Sequence, residues 1–221
     1  VVWSLLGVRL SNLPERRTDT ELAFRKATEI DPSSAFSWSL FGRFLSVLPD
    51  RREEAEAALR RAIGLGPTKV EDWCCLARLL SIGSQRIAEA EATIRQAIAL
   101  EPRSAKAWCV LGDVLGEMPD RREEREIAYR KATELDPNSA AVWASLGIYL
   151  LKTIDRRQEA EPAFRKVIEI EPWCDLWWRS LALVLLVMPG RTGEAEAAYR
   201  KAIELAPECV DNWTDLGDLL A

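Results

Sequence analysis

The segment that follows Ser34 places apolar residues at steps of three and four. They are Trp38, Phe41, Leu45 and Leu48. This spacing puts all four side chains on one face of an α-helix. Ser34 suits the N-cap position, because its hydroxyl can accept a hydrogen bond from the first turn. The pattern predicts a first helix, called helix A, that begins just after Ser34.

A proline-containing turn interrupts helix A, and a second pattern follows it. Asp50 and Glu53 have the spacing of a capping box at the start of a helix. Small and large apolar residues then share one face, in the order Ala55, Ala58, Leu59, Ala62, Ile63 and Leu65. We therefore expect a helix B that ends at Gly64 or Leu65, just before Pro67.

The two patterns return along the whole chain at a fixed interval. Tryptophans stand 35 residues apart, at Trp3, Trp38, Trp73, Trp108, Trp143, Trp178 and Trp213. Prolines keep the same interval, each six residues before the next tryptophan, at Pro32, Pro67, Pro102, Pro137, Pro172 and Pro207. A strict period of this length is typical of a helical solenoid, in which each unit packs only on its neighbours.

The period divides the sequence into units without linkers. We expect one array with a truncated repeat at 1–34, full repeats at 35–69, 70–104, 105–139, 140–174 and 175–209, and helix A of a cut repeat at 210–221. Both ends cut through a repeat, and neither carries the polar cap of a terminal repeat. We therefore expect the sequence to be a fragment of a longer protein.

Two short motifs recur within the repeat. Trp-x-x-Leu-Gly occurs at residues 3–7, 108–112, 143–147 and 213–217, and Ala-Tyr-Arg-Lys-Ala-x-Glu-Leu-x-Pro occurs at 128–137 and 198–207. On these motifs the sequence resembles the tetratricopeptide repeat family along essentially its entire length. The resemblance implies an all-α fold, namely a right-handed α-solenoid of antiparallel helix-turn-helix repeats.

The repeat length departs from this family, which usually repeats at 34 residues rather than 35. The extra residue lies in the turn between helices A and B, around residues 48–50. Arg51 or Arg52 also stands where the family often has an aromatic residue. The pitch of the superhelix depends on the rotation between repeats, so the resemblance does not fix it.

A second family of 35-residue helical repeats, the pentatricopeptide repeats, binds single-stranded RNA. Its repeat length fits this chain better, but its chemistry fits worse. The chain has a formal net charge of -5 and a pI near 5.1, and it lacks the basic stripe that phosphate binding requires. We therefore expect no nucleic-acid partner and keep RNA binding as the lesser alternative.

The residue types give no sign of catalysis. The sequence has no histidine, which excludes Ser-His-Asp and Cys-His machinery within it and removes the commonest metal ligand. Asp113 and Asp218 are the only candidates for an acid–base pair, and three repeats separate them. We expect a protein that is not an enzyme and has no cofactor.

Metal sites and membrane spans are not expected either. The five cysteines include no Cys-x-x-Cys pair, so we expect no metal site, and reduced thiols indicate a cytoplasmic, reducing compartment. The longest apolar run, Leu181–Met188, is too short to cross a bilayer. Glu–Arg pairs four residues apart, such as Glu56 and Arg60, are expected on the solvated outer face of helix B.

The family resemblance implies that helix A lines a concave groove. The residues after each tryptophan and after each glycine, or the alanine in its place, would then face a bound peptide. The first row is Ser4, Ser39, Cys74, Cys109, Ala144, Arg179 and Thr214. The second row is Val8, Arg43, Arg78, Asp113, Ile148, Leu183 and Asp218. These positions lack the Lys and Asn of the family's carboxylate clamp, so chaperone tails are not expected as ligands.

Two parts of this groove are candidate binding sites. Toward the N-terminus, Arg43 and Arg78, with a serine one turn after each at Ser46 and Ser81, suit an acidic group. In the fifth and sixth repeats we expect an apolar anchor site if the side chains are exposed. Its residues are Ile148, Leu151, Leu183 and Leu186.

The fifth and sixth repeats also break the pattern. Two further tryptophans occupy the turn between them, and tryptophan is enriched at binding hot spots. We expect Trp173 to be exposed and Trp177 to pack against the preceding helix B. Pro162 is expected to remove a backbone hydrogen bond and bend its helix.

These patterns indicate a non-catalytic scaffold that binds a protein or peptide partner through the helix A groove. The alternative is a self-assembly module that oligomerises through its terminal repeats. Neither interpretation identifies the partner.

Overall fold

The computed structural model describes residues 2–66, 69–83 and 85–220, and within these ranges the chain is helical and has no β-strand. Its α-helices are α1 (Val2–Leu10), α2 (Arg17–Ile30), α3 (Ala35–Ser46), α4 (Arg52–Leu65), α5 (Val70–Ser81), α6 (Ile87–Leu100), α7 (Ala105–Leu115), α8 (Arg122–Leu135), α9 (Ala140–Lys152), α10 (Glu161–Ile170), α11 (Asp175–Leu186), α12 (Thr192–Leu205) and α13 (Val210–Leu220). Odd numbers are helices A and even numbers are helices B. The predicted all-α class is confirmed. Among the described helices, none is both long and apolar enough to span a membrane.

Two of the described helices A begin at a serine cap, as the sequence predicts for α3. The hydroxyl oxygen of Ser34 accepts the backbone N–H of Ser37 at 3.2 Å. Ser104 caps α7 in the same way and accepts the N–H of Ala107 at 3.3 Å. Such a cap stabilises a helix by about 1 kcal/mol, so these serines help to fix the first turn.

Helices B begin later than the capping-box prediction. A short 3-10 segment, Pro49–Arg51, precedes α4, which starts at Arg52 without a side-chain cap. Asp50 lies inside that segment, so its predicted capping role is wrong. The proline starts the 3-10 turn and shifts the cap position to Arg51, which instead forms an ion pair with Glu54 at 2.5 Å. A second such segment, Pro119–Arg121, precedes α8.

Helix B of the fifth repeat is shortened at its start. A 3-10 segment, Ile154–Ala160, replaces its first turns, and α10 begins only at Glu161. Pro162 lies in the first turn of α10, where backbone N–H groups have no intrahelical partner. The prediction that Pro162 bends the interior of a helix is therefore wrong, because the proline marks the start of a shorter one.

The chain divides into two compact units, residues 1–122 and 123–221. In the first unit helices pair as α1 with α2, α3 with α4 and α5 with α6, and each helix A also contacts the next one. Buried side chains between the helices include Phe24, Leu45 and Leu59. Helix α4 ends at Leu65 as predicted, whereas Pro67 lies outside the described residues.

The second unit is built in the same way. α9 packs on α10, α10 on α11, α11 on α12, and α12 on α13. Its largest fully buried side chains include Phe164, Leu185 and Tyr199. In this unit too, each described helix is stabilised mainly by the neighbours that cover its apolar face.

The repeated tryptophan closes the turn that joins one repeat to the next. Its indole N–H donates to the carbonyl oxygen of the proline six residues earlier, at 2.9 to 3.0 Å. The pairs are Trp38–Pro32, Trp108–Pro102, Trp143–Pro137, Trp178–Pro172 and Trp213–Pro207. A hydrogen bond of this kind contributes about 1 kcal/mol. The six-residue spacing in the sequence therefore reflects this hydrogen bond, because the tryptophan side chain spans the turn back to the proline.

An arginine at the start of helix B links successive helices B. Arg86 contacts Glu56 of the preceding helix B and Glu89 of its own helix, each at 2.8 Å. Glu56 also pairs with Arg60 at 2.8 Å, as the sequence predicts for the outer face. The same contact to the preceding helix B is made by Arg51 to Glu21, Arg121 to Glu91, Arg156 to Glu126 and Arg191 to Glu161.

These bridges shift the ionisation of the carboxylates that they contain. The guanidinium of Arg86 lowers the pKa of Glu56, and those of Arg156 and Arg191 lower the pKa of Glu126 and of Glu161. Because the folded pKa lies below the unfolded value, the stabilisation is present at neutral pH and is lost as the pH falls through the folded pKa. The arginine before each of these helices B thus joins it by charge to the preceding helix B.

Glycine in the middle of helix A lets helix B approach closely. A Cβ on Gly42 would lie 2.8 Å from Cγ of Leu59 and 3.0 Å from its backbone nitrogen. A Cβ on Gly7 would lie 2.5 Å from the ring of Phe24. The glycine of the Trp-x-x-Leu-Gly motif is therefore a packing residue. Gly217 occupies the same position in α13, and a Cβ there would meet nothing within 4 Å.

We predict opposite effects for alanine at these two glycines. Gly42→Ala should lower the free energy of unfolding by about 1 to 3 kcal/mol, because the methyl group displaces Leu59 and its backbone. Gly217→Ala should raise it by up to about 1 kcal/mol, since alanine favours the helix. Urea unfolding of both variants checks the prediction. Equal effects would mean that close packing does not select the glycine.

Candidate protein-interaction site

The residues that follow the glycine in helix A, called the post-glycine row, point away from the core. Val8, Ile148 and Leu183 in this row are each 37% exposed although they are apolar. Arg78 and Asp218 are also exposed, while Arg43 and Asp113 are half-buried. The row is therefore available for contact within each unit.

The residues that follow the tryptophan, called the post-tryptophan row, lie mostly in the interior. Those with side chains fully or almost fully buried are Ser4, Ser39, Cys74, Cys109 and Ala144. The prediction that they face a bound peptide is wrong. The side chains of Ser4, Ser39 and Ala144 contact the next helix A. Arg179 and Thr214 keep contact with solvent.

In the first unit, two hydrogen bonds join successive helices A, and we call this buried contact the seam. The hydroxyl groups of Ser4 and Ser37 lie 3.1 Å apart, and the hydroxyl of Ser39 donates to Oδ1 of Asp72 at 2.7 Å. Each bond joins a post-tryptophan residue to the helix A that follows. In the second unit, Trp177 packs against Ala144 and Val167 at the same junction.

Asp72 is an unusual member of this seam. Its carboxylate is 1% exposed, and Oδ2 has no hydrogen-bond partner among the described residues. Burial raises the pKa of Asp72, while the hydrogen bond from Ser39 and the charge of Arg43 act in the opposite direction. Burial of the ionised carboxylate therefore lowers the free energy of unfolding.

The two arginines predicted to bind an acidic group differ in their surroundings. Arg78 forms an ion pair with Asp113 at 3.2 Å, one repeat further along. The hydroxyls of Ser46 and Ser81 donate to the carbonyl oxygens of Arg43 and Arg78, at 2.8 and 2.9 Å. Asp113 is thus half of an ion pair with Arg78.

Arg179 of the second unit is also held by carboxylates. Its guanidinium contacts Asp215 at 2.6 Å and Asp211 at 2.9 Å, both on α13. The hydrogen bond to Asp215 is the main cause that raises the pKa of Arg179. This predicted groove residue therefore links α11 to α13.

The second unit presents apolar side chains on helices A. Ile148, Leu183 and Leu186 are exposed by more than a third, while Leu151 is half-buried. Trp173 in the preceding turn is 69% exposed, as predicted. Trp177 is half-buried against Val167 of α10, the preceding helix B, which also agrees with the prediction. We call Ile148, Leu183 and Leu186 the second-unit apolar row.

The first unit contains a groove that the sequence pattern does not predict. It has a volume of about 440 Å³ and lies between α1, α2 and α3. Val8, Leu13 and Val47 are exposed apolar residues along it, and Arg17 and Arg43 also line it. We call it the α1–α3 groove. Only Val8 and Arg43 belong to a predicted row, because the others lie in the A–B turns and at the start of helix B.

Nothing in the described part of the chain resembles a metal centre, since no group of three or more cysteine, aspartate or glutamate residues is arranged to hold an ion. The charged side chains instead form ion pairs between helices. The geometry thus defines a helical repeat protein with exposed helix A surfaces.

Comparison with known proteins identifies the kind of repeat. Two models of the tetratricopeptide repeat match, one over residues 105–139 and the other over residues 153–208. Both segments therefore match tetratricopeptide repeats, and the resemblance seen in the sequence is confirmed. Proteins built from these repeats are in general scaffolds for protein–protein interaction and are typically not catalytic. No curated protein matches the sequence.

Solved structures show the same fold at low identity. The tetratricopeptide repeat protein TTC0263 of Thermus thermophilus is 23% identical, with a TM-score of 0.64 over 85% of this chain and 99% of its own. PilF of Pseudomonas aeruginosa is 18% identical, with a TM-score of 0.75 over 98% of this chain and 96% of its own. YrrB, a tetratricopeptide repeat protein with an unusual peptide-binding site, is 21% identical, with a TM-score of 0.54 over 77% and 85%.

The buried carboxyl of Asp72 leads to a prediction about pH. Its folded pKa is raised, so the folded state binds the proton more tightly than the unfolded chain, and its ionisation destabilises the fold as the pH rises. Asp72→Asn keeps an acceptor for Ser39 and removes the charge. We expect the variant to be more stable than the parent at pH 7, by about 1 to 2 kcal/mol.

The difference should shrink as the pH is lowered and Asp72 becomes protonated. Urea unfolding of both proteins at several pH values measures it, and the loss of the arginine bridges at low pH cancels in the comparison. A variant that is less stable at pH 7 would show that the ionised carboxylate stabilises the fold.

Proposed function

We propose that the protein is a non-catalytic scaffold that holds a peptide segment of a partner protein on its helix A surfaces. The observation that carries the proposal is the second-unit apolar row, in which Ile148, Leu183 and Leu186 are all exposed. Exposed apolar side chains in a row favour contact with a partner that covers them.

The distribution of charge supports the same surface. Many arginines and glutamates in and before helices B already pair with one another, for example Arg156 with Glu126 and Glu159. A partner that bound there would have to replace existing ion pairs. The second-unit apolar row carries no such pairs, so its burial would release water from apolar surface, at roughly 25 cal/mol per Å².

Trp173 is a candidate anchor beside this row. It is 69% exposed in the turn before α11, and tryptophan contributes strongly at interface hot spots. The peptide-binding site of YrrB, a structural neighbour, agrees with a peptide as the ligand. An extended or helical segment with apolar side chains would suit this surface.

A peptide library displayed on phage and selected against the whole chain tests the proposal. We expect selected peptides whose binding weakens at least about tenfold in Leu183→Asp, because the carboxylate cannot be desolvated under an apolar side chain. Ile127→Asp is the matched control, since Ile127 is exposed but lies on α8, a helix B. Its binding should be unchanged.

Folding must be checked alongside binding. Because Leu183 is already partly exposed, the thermal transition of Leu183→Asp should stay close to that of the parent. Failure to select any peptide, or equal binding by both variants, would contradict the proposal.

Self-association is the second candidate function, and exposed apolar residues on α1 and α13 favour it. Val2 and Leu5 on α1 and Trp213 and Leu220 on α13 are all more than half exposed. Sedimentation at decreasing protein concentration distinguishes the two functions. A mass that stays at that of the monomer would exclude self-association over that range.

A further inference from the structure

The α1–α3 groove combines an apolar wall with two positive charges. Val8 of α1 and Val47 after α3 are both exposed along it, and Phe24 of α2 lies at its buried side. A groove of about 440 Å³ has room for one large apolar side chain together with part of its backbone.

The two arginines of this groove have no ion-pair partner among the described residues, although the charge of Arg43 also acts on the buried carboxyl of Asp72. Neither Arg17 nor Arg43 forms an ion pair in the described part of the chain, whereas Arg16, Arg25 and Arg51 of the same unit all do. Arg43 is half-buried, so solvent screens its charge less than that of a fully exposed arginine. Two arginines at one groove therefore remain available to a ligand.

We infer that the α1–α3 groove binds a peptide segment in which carboxylates flank a large apolar side chain. The apolar side chain enters between Val8 and Val47, and the carboxylates pair with Arg17 and Arg43. A guanidinium can form two parallel hydrogen bonds with a carboxylate, which adds direction to the charge attraction. The inference rests on the proposed function, because it assigns one ligand chemistry to a part of the helix A surface.

Other ligands fit these observations less well. Single-stranded nucleic acid binds to a groove that offers a series of cations along the backbone. Here two arginines line the groove, Leu13 and Val47 expose apolar surface beside them, and the protein as a whole is acidic, with a formal net charge of -5. An acidic peptide with an apolar residue matches both the two arginines and the apolar surface of the groove.

Titration of the isotope-labelled whole chain with three blocked peptides tests the inference by nuclear magnetic resonance. The first is acetyl-Gly-Asp-Phe-Asp-Gly-amide, the second has lysine in place of both aspartates, and the third has alanine in place of phenylalanine. We expect the first peptide to shift the amide signals of Val8, Arg43 and Val47 in a saturable way. The other two should bind at least about tenfold more weakly.

Two charge variants locate the binding. Arg43→Glu and Arg17→Glu should each weaken the first peptide about tenfold, since each replaces attraction by repulsion. Arg17 begins α2, where a glutamate favours the helix, so Arg17→Glu tests the charge even if Arg43→Glu disturbs folding. Arg103→Glu, in the exposed turn before α7, is the matched control and should leave binding unchanged.

A third variant tests the apolar wall of the α1–α3 groove. Val47→Asp should also weaken binding, whereas Ile30→Asp should not, because Ile30 is similarly exposed but does not line the groove.

The outcomes separate this inference from the proposed function. Equal binding of the lysine peptide, an unchanged affinity in both Arg17→Glu and Arg43→Glu, or equal binding of an oligouridylate would overturn the inference. If library peptides bind only at the second-unit apolar row, the inference fails and the proposed function stands. If no peptide binds anywhere, both fail.

Discussion

The hydrogen bond from the repeated tryptophan to the proline six residues earlier closes five of the described turns between repeats. It spans the turn between one helix B and the next helix A, as in the bond of 2.9 Å from Trp108 to Pro102. In the first unit, the residue after the tryptophan faces the neighbouring helix A, as Ser39 does in its hydrogen bond to Asp72. Cys74 is buried in the same row, although the indole nitrogen of Trp73 has no hydrogen-bond partner among the described residues. The post-glycine row, four residues further on, is left exposed as the surface for a partner.

The arginine bridges act on the opposite side of the repeat. Each one joins the start of a helix B to the first two turns of the preceding helix B, as Arg191 joins Glu161 at 2.6 Å. Each pair is partly exposed, so any one of them is a modest contribution, and their effect comes from regular repetition. These contacts use many of the charges of helix B within the protein. Arg17, at the start of a helix B, and Arg43, on a helix A, form no ion pair among the described residues and both line the α1–α3 groove.

The sequence predicts those features that depend on local spacing. Helical periodicity gives α3, the serine cap at Ser34 and the end of α4, and the tryptophan–proline interval marks the turns. Features that depend on contacts about 30 residues away are not visible in it. The burial of Cys74 depends on the neighbouring helices that pack on α5, and the partner of Arg86 lies in the preceding repeat. The role of Pro162 is not visible either, because the length of its helix depends on the 3-10 segment before it.

The division into a buried and an exposed row is tested most directly by thiol labelling of the native protein, located by mass spectrometry. Cys74 and Cys109 belong to the post-tryptophan row, and burial raises the pKa of the Cys74 thiol to about 12. Arg78→Cys places a thiol in the post-glycine row of the same unit. The account predicts rapid labelling at position 78 and none at Cys74 or Cys109 until the protein is unfolded. Equal labelling of all three in the native state would contradict it.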